Sequence, residues 1–259
     1  MNGGMLHALL SGFSALSPAQ LVLIAAMALL ASVVGGVAGY GTGALMPLVL
    51  VPIMGAEPVV PVLSLSALLT NVSRTAAFYR SVDRRRALIV LLAAVPTCAL
   101  GAWAYTKLNS TGALIVIAAM LIASVPLRRL MRRRGVALTD RTLAAAAFGW
   151  GPLAGGTVGA GIILLSLLMA SGLEGAAVVA TDALISIGIG LAKFATFGFA
   201  GVVTAQVIAV AVLIGAVAFP GAFLAKALVE RLPVHVHTAM LDAVVVGGGI
   251  AMVVNAFVR

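Results

Sequence analysis

Gly35-Gly36-Val37-Ala38-Gly39-Tyr40-Gly41-Thr42-Gly43 packs five glycines into nine residues, in the middle of an apolar block that begins at Pro18 and runs to about Met54. As one helix that block would be about 54 Å long, against a bilayer core of about 30 Å. Glycine adopts backbone angles closed to other residues and weakens helix interiors. The cluster is therefore read as a break that divides the block in two, with Pro47 and Pro52 restricting the second piece. Irregular backbone is not viable against lipid, so the break must face protein or a water-filled cavity. The frame GGxxGxG returns 120 residues later as Gly155-Gly156-Thr157-Val158-Gly159-Ala160-Gly161, again inside an apolar block. Two interrupted apolar segments at matching places in two halves point to the binding site of a transporter.

Composition frames this reading. The chain has 259 residues, 63% hydrophobic and 9% charged, where a soluble domain carries about 25% charged residues. Apolar stretches of about 20 residues recur from end to end, as an all-α polytopic membrane protein requires. The net charge of +9 is concentrated in short arginine-rich loops and stacking aromatics are scarce, so the charge marks cytoplasmic topology and no nucleic-acid partner is expected. The single cysteine, Cys98, excludes an internal disulfide or a cysteine metal cluster. No cleavable signal and no GxxxxGK[ST] phosphate loop is evident.

In chain order, residues 1–18 form a short uncharged lead, expected at the interface. Residues 19–127 make a first repeat, with blocks over 59–79, 87–106 and 111–127. Residues 128–141, with six arginines, link it to a second repeat over 142–259. There the plan returns: Gly172-Leu173-Glu174 echoes Gly55-Ala56-Glu57, and Gly221-Ala222-Phe223 falls 120 residues after Gly101-Ala102-Trp103. Arg80, Arg84, Arg85, Arg86 and the linker arginines share one side, which the positive-inside rule makes cytoplasmic, in a bacterial inner membrane. If each divided block returns to its starting face, the halves are inverted and Lys226 and Arg231 join that side. If each crosses once, the halves are parallel. The inverted arrangement fits the charges slightly better.

Gly39-Tyr40-Gly41-Thr42-Gly43-Ala44-Leu45-Met46-Pro47, its weaker second copy, Ala180-Thr181 opening the following helix and the basic loop after the second block resemble the TauE/SafE family of sulfite-exporter-like transporters, also called toluene-sulfonate uptake permeases. The likeness extends over residues 19–257. Thr42 interrupts the family's glycine triplet, no proline follows the second copy, and Asp182 stands where a small hydroxyl residue is common. The resemblance implies transport of a sulfur-containing anion such as sulfite or an organosulfonate, and leaves direction and coupling open.

Broken helices expose backbone N–H groups, and a helix N-terminus carries roughly half a positive charge, suited to an anionic oxygen. The site is therefore expected to draw on Gly39, Tyr40, Gly41, Thr42 and Gly43 of the first motif, and on Gly159 and Gly161 of the second. The competing reading of these glycines is close helix packing. Asn71, Arg74, Thr181 and Lys193 join the candidates as polar or charged groups deep in apolar blocks; for Arg74 and Lys193 the alternative is snorkelling to a face. Asp182 is the candidate for proton coupling, against a role capping or ending a helix. Glu57 and Glu174 read as helix N-caps, and His235 and His237 as loop residues without a third metal ligand. Asp242 fits a pore or an interface equally. No cofactor is expected; the partners are a small anion and membrane lipid, with homo-oligomerisation open. The expected function is secondary anion transport by alternating access. A passive channel is the alternative, and an intramembrane enzyme, lacking a histidine pair or Ser/Lys dyad in a confident span, is a more distant one.

Overall fold

A computed structural model describes residues 11–38, 42–133 and 137–221, and every regular element among them is helical. The first apolar block forms α1 (Pro18–Ala38) and α2 (Thr42–Met54), and the second divided block forms α6 (Asp140–Gly156) and α7 (Gly161–Ala170). Between them lie α3 (Val59–Ala77), a 3-10 turn (Tyr79–Ser81), α4 (Arg84–Tyr105) and α5 (Ser110–Arg133); α8 (Gly175–Phe199) and α9 (Ala205–Ala218) follow α7. Three of these, α3, α4 and α8, are long and apolar enough to cross a membrane, and the chain is a multi-pass membrane protein. The block expected over residues 236–257, with His235, His237, Lys226, Arg231 and Asp242, lies outside the described residues.

Helix ends differ from the sequence expectation where capping chemistry moves them. Asp83 accepts a hydrogen bond from the Arg86 backbone N–H at 2.9 Å, so α4 starts at Arg84, three residues before the expected block. The linker expected over residues 128–141 is largely helix: α5 continues to Arg133, through leucine, methionine and arginine, all good helix formers. Thr139 then caps α6 by accepting from the Thr142 N–H, with Asp140 favourably placed in the first turn. Glu57 does not cap α3; its carboxylate accepts from Ser110 Oγ at 2.6 Å. Glu174 occupies the N-cap position of α8 but makes no side-chain cap bond.

The path of each divided block follows from what its ends touch. Leu138, just before α6, donates its N–H to the carbonyl of Ala170 at the end of α7, at 2.7 Å. The α6–α7 element therefore leaves a face and comes back to it. Arg85, Arg86 and Asp83 lie at this face, since Arg85 pairs with Asp140 and Arg86 donates to the Ser171 carbonyl. At the other face, Tyr105 Oη donates to the Ala56 carbonyl just beyond α2, and Gly12, ahead of α1, packs on Ala205. A cavity of about 320 Å³ at that face is shared by Glu57, Tyr105, Thr106 and Thr204. The α1–α2 element thus starts and ends opposite the basic face. With ten residues, α7 rises only about 15 Å, half the thickness of a bilayer core.

The two hairpins are seated reciprocally. Gly101 of α4 lies on the backbone of Pro152 in α6, and Gly221 lies on Ser32 of α1; adding 120 to Gly101 and Ser32 gives Gly221 and Pro152. Small residues let membrane helices approach this closely. On the α4–α6 seam a Cβ at Gly155 would run into the Cys98 carbonyl, while Thr97 Oγ1 donates to the Phe148 carbonyl at 3.0 Å. On the α1–α9 seam Ser32 Oγ donates to the Ala218 carbonyl at 2.6 Å. Close helix packing thus accounts for Gly101, Gly155 and Gly221. In the centre α3 and α8 cross in contact and run in opposite directions: Glu57 precedes α3 at one face, and Thr181, in the second turn of α8, bonds Asp83 at the other.

Candidate functional site

The start of α2 meets the turn between α6 and α7, beside α3 and α8. Gly43 lies so close to Gly159 that a Cβ on Gly43 would sit 3.2 Å from the Gly159 nitrogen. The second turn is built by Thr157 in an extended conformation and Gly159 at φ +82°, in the left-handed region that glycine occupies without strain. Beside this contact is a cavity of about 150 Å³, smaller than the roughly 300–1,000 Å³ of sites for drug-sized molecules and suited to a small ion. Thr42 and Gly43 line it from α2, Ser64 and Asn71 from α3, Trp150 from α6, and Ser186 and Lys193 from α8, with Thr157, Gly159 and Gly161 of the second turn between them.

Among the described residues lining the cavity, Lys193 is the one that is charged. It does not snorkel: it is 7% exposed, and its Nζ donates to the carbonyls of Ala154 at 2.9 Å and Thr157 at 3.2 Å. These oxygens lie at the broken end of α6, where helical carbonyls have no partner and the dipole is negative. The ammonium satisfies two of them and has a third N–H left for a ligand. Trp150 Nε1 donates to the Ala160 carbonyl at 2.9 Å, across the same turn. With the end of α6 offset by Lys193, the helix N-termini of α7 at Gly161 and α2 at Thr42 bias the cavity toward anions.

Arg74 and Asp182 are absent from the cavity lining and lie toward the basic face. They pair at 3.6 Å, Arg74 Nη2 to Asp182 Oδ2, and Arg74 Nη1 reaches Asn71 Oδ1 at 3.4 Å. Asp182 is buried in the interior of α8, which removes the reading of it as a cap or an interfacial helix end. Arg74 likewise turns inward to its partner. Thr181 Oγ1 accepts from the backbone N–H of Asp83 at 3.0 Å, tying α8 to the start of α4. At that junction Asp83 and Arg86 pair at 2.6 Å while Arg86 holds the Ser171 carbonyl, also at 2.6 Å. Partial burial works against the Asp83 carboxylate, but hydrogen bonds from Arg86 and its charge hold the pKa below the ordinary value.

Of the residues expected from sequence, Thr42, Gly43, Asn71, Gly159, Gly161 and Lys193 come together around the cavity. Thr181, Arg74 and Asp182 gather behind it, and Gly39, Tyr40 and Gly41 lie outside the described residues. Trp150 escaped the sequence reading, although an indole N–H in a membrane block must find a partner and so points to irregular backbone nearby.

Comparison with known proteins gives one family match: the model described as Sulfite exporter TauE/SafE covers residues 24–252. No curated protein and no solved structure matches the chain.

Proposed function

The chain belongs to the TauE/SafE sulfite exporter family, a family of membrane transporters, and from that premise we propose that it carries a small sulfur oxyanion, sulfite or an organosulfonate, as a secondary transporter. The observation that carries the reading is the cavity where Gly43 meets Gly159, with buried Lys193 as the charged group among its described lining residues. An anion there takes the free N–H of Lys193, the N-terminal end of α7 and the hydroxyls of Thr42 and Ser186. Hairpins whose ends lie at opposite faces favour inverted repeats, as does the antiparallel α3–α8 pair. Such repeats transport by rocking about the fixed site, exposing it to each face in turn. The face carrying Arg84–Arg86 is assigned to the cytoplasm of a bacterial inner membrane by its charge, and Asp182 is assigned the coupling proton.

Thermal unfolding of the purified chain against sulfite, sulfate, thiosulfate, taurine and sulfoacetate tests the substrate class, because a ligand stabilises by mass action. A shift with a sulfur anion that disappears in Lys193→Met supports the site; a shift untouched by that substitution removes it. In proteoliposomes, saturable flux with counter-exchange is expected. Unsaturated voltage-driven current would make the protein a channel.

A further inference from the structure

Behind the cavity, Arg74 bridges two very different neighbours. Asn71 belongs to the cavity wall, while Asp182 is 4% exposed and lies beyond it toward the basic face. Both contacts, 3.4 and 3.6 Å, are longer than the roughly 2.7–2.9 Å of a tight charge-assisted hydrogen bond. Asp182 Oδ1 is buried with no hydrogen-bond partner, and so is Ser73 Oγ, next to Arg74 in sequence. A native structure rarely leaves a carboxylate oxygen in that condition without a use for it. The guanidinium is thus loosely held, within one side-chain movement of the cavity, and the carboxylate beside it has a vacant acceptor.

We propose that Arg74 and Asp182 form a lock between the cavity and the basic face which an anion opens only together with a proton, so that anion and proton bind and travel as a pair. This rests on the anion-carrier reading above. An anion that exchanges Asn71 for its own oxygens on Arg74 brings its charge up to Asp182. In a buried site two like charges sharing one cation strongly disfavour both being present. A proton from water, taken up at the unpartnered Oδ1, removes the conflict and leaves Arg74 to the anion. Thermodynamic reciprocity then makes anion binding raise the proton affinity of Asp182 by the same factor. No covalent bond of the anion changes; the proton leaves Asp182 for water when the anion departs and Arg74 returns to the carboxylate. The coupling is symport in sign.

The groups around Asp182 leave this assignment to Arg74. From α3 the charged neighbour is Arg74 itself. In the 3-10 turn, Tyr79 and Arg80 bond each other at the surface. At the start of α4, Asp83 and Arg86 are mutually paired and Arg85 pairs with Asp140 of α6. The described sequence of α7 has no titratable side chain. On α8, Lys193 is eleven residues away, about 16 Å along the helix, and is bonded to Ala154 and Thr157.

The test is sulfite binding to the full chain by calorimetry between pH 6 and 8, in the wild type, in Asp182→Asn and in the double variant Arg74→Gln/Asp182→Asn. Sulfite itself titrates in this range, identically for all three proteins. The wild-type affinity is expected to fall with pH more steeply than that of Asp182→Asn, by up to about tenfold per pH unit, the limit for one linked proton. Parallel pH dependences overturn the lock while leaving the carrier reading in place. Failure of the wild type to bind sulfite, thiosulfate, taurine or sulfoacetate at any pH overturns both. Should Asp182→Asn not fold, the double variant, which leaves no unpaired buried charge, carries the same comparison: a slope parallel to wild type sinks the proposal and a flatter one supports it.

Discussion

The two hairpins share a glycine frame, yet they are held in different ways. The second is pinned from inside: Lys193 fills the carbonyls at the end of α6 and Trp150 spans the turn to Ala160. At the positions that correspond in the first repeat, the chain has Ala76 (by the spacing that relates Glu174 to Glu57) and Leu30 (by the spacing of the glycine motifs). Neither can donate a hydrogen bond from its side chain, and both are exposed. The first hairpin is instead fixed from outside, by Ser32 on Ala218. The two hairpins thus share a glycine frame and closely packed seams, while the charged side chain lining the cavity comes from α8.

The comparison is broken most forcefully at Lys193. Replacing it by Met leaves two buried carbonyls without a donor, at about 1–3 kcal/mol each, and removes the cationic group from the cavity. Loss of ligand-induced stabilisation is expected together with a lower unfolding midpoint in detergent. The matched substitution Ala76→Met should stay within about 0.5 kcal/mol; equal losses at both positions would erase the distinction between the hairpins.

A smaller contrast is expected at the seams. Gly155→Ala drives a Cβ into the Cys98 backbone, and Gly221→Ala drives one into the Cβ and Oγ of Ser32. Overpacking costs about 1–3 kcal/mol in each case, as read from denaturant midpoints, and Gly221→Ala in addition displaces the hydroxyl that holds the Ala218 carbonyl. Trp150→Phe keeps a ring but removes the bond to Ala160, with an expected loss of about 1 kcal/mol. Smallest is the effect of Asp83→Asn at the base of the second hairpin. Because the folded carboxyl has a lowered pKa, its contribution is present above the unfolded value of about 3.9 and fades as pH falls through the folded one. The stability gap between wild type and Asp83→Asn should be open at pH 7 and close in acid; a gap constant down to the lowest pH would remove Asp83 from this role.

The sequence made the breaks legible because glycine acts locally, on the backbone of its own residue. The direction of each hairpin was harder to read. Charge placement allowed both a returning and a crossing path, and the decision lies in a long-range backbone bond, Leu138 to Ala170, between groups every residue possesses. The target of Lys193 was hidden for the same reason, since Ala154 and Thr157 accept through main-chain carbonyls. Asp182 looked like a helix end because it follows the apparent start of its block by only a few residues. Its partner Arg74 lies in the other repeat and is brought to it by the antiparallel crossing of α3 and α8. Glu57 shows the reverse error: a carboxylate before a helix suggested a cap, but Ser110 was nearer.

The meeting of Gly43 with Gly159 carries one more implication. With the Gly159 nitrogen 3.2 Å from where a side chain at Gly43 would begin, α2 cannot shift against the turn before α7 without altering this contact, so even the smallest side chain placed at position 43 would report a relative movement of the two segments.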